Sequence, residues 1–362
     1  MTALLMTGFP GFLGSALLGR LLDRRPGVRA VCLVQDRHLA AARERVAEIE
    51  AAQPHVAARV DLVVGDVTAP GLGIAAADES LLEDLTEIWH LAAVYDLAVG
   101  EEVAHRVNVV GTDRVLDLCR SLPHLERLQY VSTCYVSGRY DGEFLEDELD
   151  VGQTFRNHYE STKHDAELLV RKAMAAGVPA TIYRPGIVVG DSRTGATQKY
   201  DGPYFLATFL RRQPPIAIVP SVADPDRVRF CLVPRDFVID ALDQLSVMPQ
   251  SLGRTYALTD PAPPTARELV DAFARRLHKR VVWVPLPLSL TRAAVSLPLA
   301  ERLMGLPVEA LDYFASPTTY ATTNTVTDLA GTGVTCPRFE DYADRLLDFM
   351  VEHPEFSSAA MV

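Results

Sequence analysis

Along the first half of the chain, short apolar runs alternate with longer stretches that mix apolar and charged residues at helical spacing. Thr2–Thr7 (TALLMT), Arg29–Val34 (RAVCLV), Val60–Val64, Ile88–Leu91, Arg127–Ser132 and Ala180–Arg184 are the apolar runs. Runs this short, apolar on both faces, predict strands buried on both sides. Between them, Ser15–Leu22, His38–Ala52, Glu102–Leu122 and His158–Ala176 predict helices. The alternation predicts an α/β protein, a Rossmann-type doubly wound parallel sheet. Ligands on such sheets sit at the carboxyl ends of the strands. Those ends carry Gly8, Gln35, Asp66, Ala92, Thr133 and Pro185.

Beyond Pro185 the texture changes. Gly186–Pro225 holds a polar, acidic loop, several prolines and a helix expected at Pro203–Arg212, and Arg229–Asp243 reads as a return to the sheet. From Asp260 onward come Pro-Ala-Pro-Pro, a helix at Thr265–His278, a strand at Val281–Val284 and a proline-bounded apolar region to Leu306. We therefore expect a dinucleotide-binding domain in residues 1–190 and about 226–260, with a smaller, mainly helical substrate domain in about 191–225 and 261–362.

Composition narrows the class of partner. With 48% hydrophobic and 23% charged residues the chain reads as a globular protein, and its net charge of -12 argues against nucleic acid and against anionic membranes. Cys32, Cys119, Cys134, Cys231 and Cys336 are dispersed, with no C-x-x-C pair, which predicts reduced thiols and a cytoplasmic location. No signal peptide is expected ahead of the first strand, and no apolar run is long enough to span a bilayer. No H-x-x-x-H or Cys/His cluster occurs, so no metal is expected.

Three stretches carry candidate chemistry. Gly8-Phe9-Pro10-Gly11-Phe12-Leu13-Gly14 follows the first strand and opens the first helix. Its G-x-x-G-x-x-G spacing is one residue wider than the dinucleotide fingerprint, and a glycine turn at a helix N-terminus cradles phosphate. Tyr159 and Lys163 stand four apart on one helix face, behind Asn157 as a plausible N-cap. An ammonium near a phenol favours the phenolate, so Lys163 is expected to lower the Tyr159 pKa for acid–base work. Tyr130-Val131-Ser132-Thr133 ends the fifth strand and puts a hydroxyl at the sheet's rim, where it can hydrogen-bond a substrate oxygen.

In order and in sequence these stretches resemble an extended short-chain dehydrogenase/reductase, most closely the fatty acyl-CoA reductase, male-sterility and thioester-reductase-like branch. The match runs through Thr7–Gly14, Gly65-Asp66-Val67, His90-Leu91-Ala92-Ala93, Asn108–Thr112, Val131-Ser132-Thr133, Tyr159–Lys163, Arg184-Pro185-Gly186 and the branch-specific Gly190–Gly195 (GDSRTG), covering residues 1 to about 240. The resemblance implies that Gly8, Gly11 and Gly14, with Phe9, Pro10, Phe12 and Leu13 between them, hold a pyrophosphate. It implies that Asp66 and Val67 flank adenine, that Ala92 and Ala93 line the cofactor crevice, and that Pro185 and Gly186 back the nicotinamide. Thr133 would polarise a carbonyl, Tyr159 act as acid/base, and Lys163 hold the ribose while tuning Tyr159. Asn108 would be a helix residue with a buried amide. An NAD site wants an acid at the end of the second strand, where this chain has Gln35, then Asp36 and Arg37. Arg37 or Arg43 can supply a guanidinium for the 2′-phosphate of NADPH, the expected cofactor. The implied reaction is hydride transfer to an apolar acyl thioester, as acyl-CoA or carrier-bound, or to the derived aldehyde.

Other features are weaker. Tyr95, Asp96 and His158 can reach substrate from their positions beside the fourth strand and the catalytic tyrosine. Arg275–Arg280 is the one basic cluster, able to hold coenzyme A phosphates or an acidic carrier, but expected to be a solvated helix end. Pro285–Leu306 is expected to be a buried packing helix rather than an acyl tunnel or membrane contact, and Asp141–Asp150 a solvated loop near the site mouth. The rival readings are a hydroxysteroid-type dehydrogenase, a sugar-nucleotide epimerase on the same scaffold, and a non-catalytic dinucleotide sensor.

Overall fold

Each of the six expected strands forms, and all six enter one parallel sheet. In the computed structural model, which describes residues 2–295, 312–313 and 315–355, they are β1 (Thr2–Thr7), β2 (Val28–Val34), β3 (Val60–Val64), β4 (Leu85–His90), β5 (Arg127–Val131) and β7 (Ala180–Pro185). A seventh, β11 (Thr255–Leu258), pairs with β7 and completes the order β11-β7-β5-β4-β1-β2-β3. Four residues, TYAL, gave no signal that separates an edge strand from a loop. The chain winds from β1 to β3 in one direction and from β4 to β11 in the other, so the order reverses between β1 and β4. A crevice opens at such a reversal.

The sheet is covered on both faces, as its apolar runs require. Along β1, Leu4 and Met6 pack with α1 (Phe12–Arg24), while Ala3 and Leu5 pack on the opposite face. This is the period of two that a strand imposes. α2 (Leu39–Ala52) follows β2. The expected helix at Glu102–Leu122 is α3 (Glu101–Ala104), a π-helical stretch at His105–Val110 and α4 (Gly111–Ser121) in direct succession. α5 (His158–Ala175) joins α4 on the same side.

After β7 the chain makes a second hydrophobic core from α6 (Pro203–Arg212), α8 (Ala266–Arg276) and the helix Phe339–Glu352. Beside it, β9 (Ile216–Ser221) pairs in parallel with β12 (Arg280–Pro285). β8 (Ile187–Val189) pairs with β10 (Leu232–Pro234), from which α7 (Arg235–Ser246) returns to pack on α1. The GDSRTG stretch is a tight turn: Asp191 Oδ1 accepts the Arg193 and Thr194 N–H groups, and a Cβ on Gly195 would lie 2.1 Å from the Arg345 carbonyl oxygen.

Two expectations change in part. Asp141–Asp150 is solvated at Asp141, Glu143, Asp147 and Asp150 but is not a loop throughout. Its β6 (Gly142–Phe144) pairs with β13 (Thr318–Tyr320), and Glu146 is buried. The Glu146 carboxylate accepts N–H groups from Ala257 at 2.9 Å and Asn324 at 2.6 Å, tying β11 to the start of the helix Thr323–Leu329. An acid there satisfies orphan helix donors, which a count of charges cannot foresee. The basic run Arg275–Arg280 is the solvated helix end expected: Arg275, Arg276, His278 and Arg280 are exposed, Arg276 pairs with Asp348 at the surface, and Lys279 donates to the Gln213 carbonyl. Of Pro285–Leu306, α9 (Leu288–Val295) exposes Leu290 and buries Thr291, and the part from Ser296 on lies outside the described residues. Among the described residues no helix is long and apolar enough to cross a membrane, and no group of His, Cys, Asp and Glu is arranged to hold a metal ion.

Candidate active site

The glycine turn is packed as tightly as its spacing suggests. Gly8 has φ +86°, and a Cβ there would lie 2.8 Å from the Ala92 nitrogen. Cβ atoms on Gly11 and Gly14 would lie 2.8 and 2.6 Å from the Gly8 carbonyl oxygen. Only hydrogen fits at these three points. α1 starts at Phe12 with no side-chain cap, which leaves its first-turn N–H groups for a ligand.

A cavity of about 1260 Å³ opens along the crevice from this turn. All of Gly8–Gly14 lines it, with Gln35, Arg37, Asp66, Val67, Ala92 and Ala93 on one side and Thr133, Tyr159, Lys163, Pro185 and Gly186 on the other. Tyr95 also lines it. Asp96, His158 and Arg43 do not. At the far end from Tyr159, Gln35 Nε2 donates to Asp66 Oδ2 at 3.0 Å and Arg37 Nε donates to Gln35 Oε1 at 2.9 Å. The amide thus joins a carboxylate to a guanidinium. Despite its partial burial the Asp66 carboxyl titrates below its usual range, because Thr68 and Gln35 hydrogen-bond it.

At the other end, Asn157 Oδ1 accepts the Glu160 N–H at 3.0 Å and caps α5, as expected. One residue into the helix, Tyr159 is buried at the cavity wall. Burial pushes its pKa up, against the opposing effect of a hydrogen bond with Thr133. The expected lowering by Lys163 is absent. The Lys163 ammonium donates instead to the Tyr130 hydroxyl at 3.2 Å and the Val131 carbonyl at 3.0 Å. Burial lowers the Lys163 pKa to about 8, which Glu167 partly offsets. At neutral pH the site therefore holds a protonated phenol and a charged lysine.

Beneath these groups lies a buried polar chain. Thr112 gives its hydroxyl proton to the Asn108 carbonyl at 2.6 Å, so His90 Nε2, 3.0 Å from Thr112 Oγ1, carries the imidazole proton. His90 Nδ1 then accepts from Thr7 at 2.8 Å, and Thr7 Oγ1 accepts the Ala92 N–H at 3.1 Å. Burial lowers the His90 pKa to about 3, so it stays neutral. Asn108, in the π-helical stretch, is itself buried; its amide accepts the Val94 N–H and donates to Thr162. The loop after β4 and α5 are thereby fixed to one another.

Several lining residues had no expectation attached. Tyr135 lines the cavity two residues after Thr133, and its ring lies 4.7 Å from that of Tyr313. Its closeness to Thr133 in sequence was the available signal. Lys199 and Asp201, paired at 2.9 Å, reach the cavity from the loop after β8, and the Lys199 ammonium stands 5.1 Å over the Tyr95 ring. Tyr95 in turn meets Tyr159 edge to face at 5.1 Å. Arg106 lines the Asp66 side. Nothing in the spacing of these residues announces them.

Residues 6–242, more than half of the chain, match the family model described as "Male sterility protein". The chain is similar to isonitrile lipopeptide synthase of Streptomyces coeruleorubidus, at 29% identity over 96% of this chain and 24% of that protein. It is similar to fatty acyl-CoA reductase wat of Drosophila melanogaster, at 27% identity over 55% of this chain and 45% of that protein. It therefore spans less than half the length of each of these relatives. The crystal structure of the terminal R domain from the myxalamid PKS-NRPS biosynthetic pathway superposes with a TM-score of 0.82 at 29% identity, covering 98% of this chain and 91% of that one.

Proposed function

The chain belongs to the male sterility protein family, within the NAD(P)-dependent oxidoreductases of the extended short-chain dehydrogenase/reductase superfamily, and from that premise we propose that it reduces the carbonyl of a carrier-bound or coenzyme A-bound acyl thioester. One observation carries the reading: Thr133, Tyr159 and Lys163 share a single cavity with the glycine turn. That cavity has the volume, the uncapped helix end and the hydrogen-only turn that a dinucleotide needs. Gly8–Gly14 would hold the pyrophosphate, Asp66 and Val67 the adenine side, and Ala92, Ala93, Pro185 and Gly186 the crevice toward the nicotinamide. Arg37, joined to Gln35 by its Nε, has its terminal nitrogens left for a 2′-phosphate, which favours NADPH. When bound, the reduced nicotinamide supplies a hydride.

The chain's own residues do the rest. The Thr133 hydroxyl orients the substrate oxygen, and Tyr159, kept protonated by burial, donates its proton to that oxygen. Lys163 keeps a positive charge beside the site at neutral pH and holds the ribose. The product on a thioester is a hemithioacetal, whose C–S bond breaks to give an aldehyde and a thiol. In the division of labour we propose, residues 1–190 and about 226–260 hold the cofactor, and about 191–225 and 261–362 receive the substrate.

The test is direct. Purified protein is incubated with NADPH or NADH and a panel of acyl-CoAs, carrier-bound thioesters, aldehydes, sterols and sugar nucleotides, and absorbance of the reduced cofactor is followed. Consumption with thioesters supports the proposal. Turnover confined to sterols or sugar nucleotides overturns it, as does cofactor binding with no turnover at all.

A further inference from the structure

Three cationic side chains lie buried around the start of α5, and two of them face a carboxylate. Arg156 pairs with Glu160 at 3.2 Å and Arg184 with Glu167 at 2.6 Å. Among the described residues, Lys163 has no such partner at its ammonium. Glu167, one turn along the helix, is committed elsewhere: it receives Arg184, Arg171 and the Ser132 hydroxyl. What touches the Lys163 ammonium is a neutral pair, the Tyr130 hydroxyl and the Val131 carbonyl. The ammonium also stands 4.7 Å from the Tyr130 ring centroid.

An ammonium carries only donors, so the Tyr130 phenol oxygen accepts from Lys163 and turns a lone pair to it. An ammonium has three N–H bonds, and Tyr130 and Val131 take two. The third is left for the cavity that Lys163 lines with Tyr159 and Thr133.

We infer that Tyr130 is a positioning residue, whose phenol oxygen, with the Val131 carbonyl, clamps Lys163 so that one N–H is presented to the cavity beside Tyr159. The inference rests on the proposed role of Lys163 at the cofactor ribose. A carboxylate in Tyr130's place would hold the lysine equally well but would cancel its charge; a phenol fixes position and leaves the positive field directed at the cavity. The surrounding groups agree. His90 on β4 is neutral, Glu167 is offset by Arg184 on β7 and Arg171, and Tyr159 is a protonated phenol.

Tyr130→Phe tests this, because the ring and its contact with the cation stay while the oxygen goes. The chain has four lysines, Lys163, Lys172, Lys199 and Lys279, so ¹³C-lysine labelling gives four signals, with that of Lys163 assigned by its loss in Lys163→Met. A neutral acceptor stabilises the ammonium, so its removal lowers the lysine pKa. In the free enzyme the Lys163 midpoint should fall by about one pH unit, a tenfold change in its proton affinity, while the other three lysines and the melting temperature stay put. With substrate, kcat should fall about tenfold at unchanged KM. An unshifted Lys163 signal in Tyr130→Phe overturns the inference, as does a wild-type midpoint near the ordinary lysine value of about 10.4. Because the titration uses neither cofactor nor thioester, a shifted signal in a protein that reduces no thioester sinks the substrate proposal alone. Thioester reduction with an unshifted signal sinks the positioning role alone.

Discussion

At the glycine-turn end of the cavity the wall is mostly backbone: strand ends, a turn that admits only hydrogen at three Cβ positions, and uncapped helix amides. At the tyrosine end the wall is side chain, with Tyr95, Tyr135 and Tyr159 beside the Lys199–Asp201 pair, drawn from segments far apart in the chain. A backbone wall recognises a charged, invariant shape through N–H groups and dipole, and tolerates no added atom. A side-chain wall can be changed one group at a time without disturbing the sheet. On the proposed function, the same cavity joins a backbone half that receives the cofactor and a side-chain half that receives the substrate.

The strongest way to separate the halves is Tyr159→Phe. We expect kcat to fall by about 10²- to 10⁴-fold, with cofactor affinity, read by fluorescence titration, within about twofold of wild type. Full activity in that variant removes Tyr159 as the acid. Gly14→Ala should do the reverse: its Cβ meets the Gly8 carbonyl oxygen at 2.6 Å, so the turn must shift. Cofactor affinity should drop by about 10- to 100-fold, together with a fall in melting temperature of several degrees. Wild-type affinity in Gly14→Ala means that the turn is not the phosphate cradle. Arg37→Ala acts within the backbone half but on a side chain, and should weaken NADPH about tenfold while leaving NADH unaffected. Equal loss for both cofactors places the guanidinium away from the 2′-phosphate. The smallest effect is expected from Lys199→Met, which removes the cation over Tyr95 at the tyrosine end. Substrate KM should change a few-fold with cofactor affinity constant, and a changed cofactor affinity instead would blur the division between the halves.

The glycine turn and the tyrosine–lysine pair were legible in the sequence because each is local. Gly8, Gly11 and Gly14 sit within seven residues of each other at the end of an apolar run, and Tyr159 and Lys163 within one helical turn. Thr133 was legible because it closes a strand. Lys199 and Asp201 were not, since they reach the cavity through a loop whose path depends on the second hydrophobic core. Glu146 shows the same limit: an acidic stretch reads as solvated until the fold brings helix N–H groups to it.

The sequence alone determined the parallel sheet, the glycine turn at its first strand and the presence of a phenol, a hydroxyl and a lysine in the right order, because each depends on residues close together in the chain. Only the tertiary structure decided how those groups are charged and aimed. The lysine was expected to act on Tyr159. The folded protein instead holds it with Tyr130 and Val131, on the neighbouring strand, and leaves burial to keep the phenol protonated. Charge state is set by the solvent a fold excludes and the partners it supplies, and neither is a property of spacing along the chain.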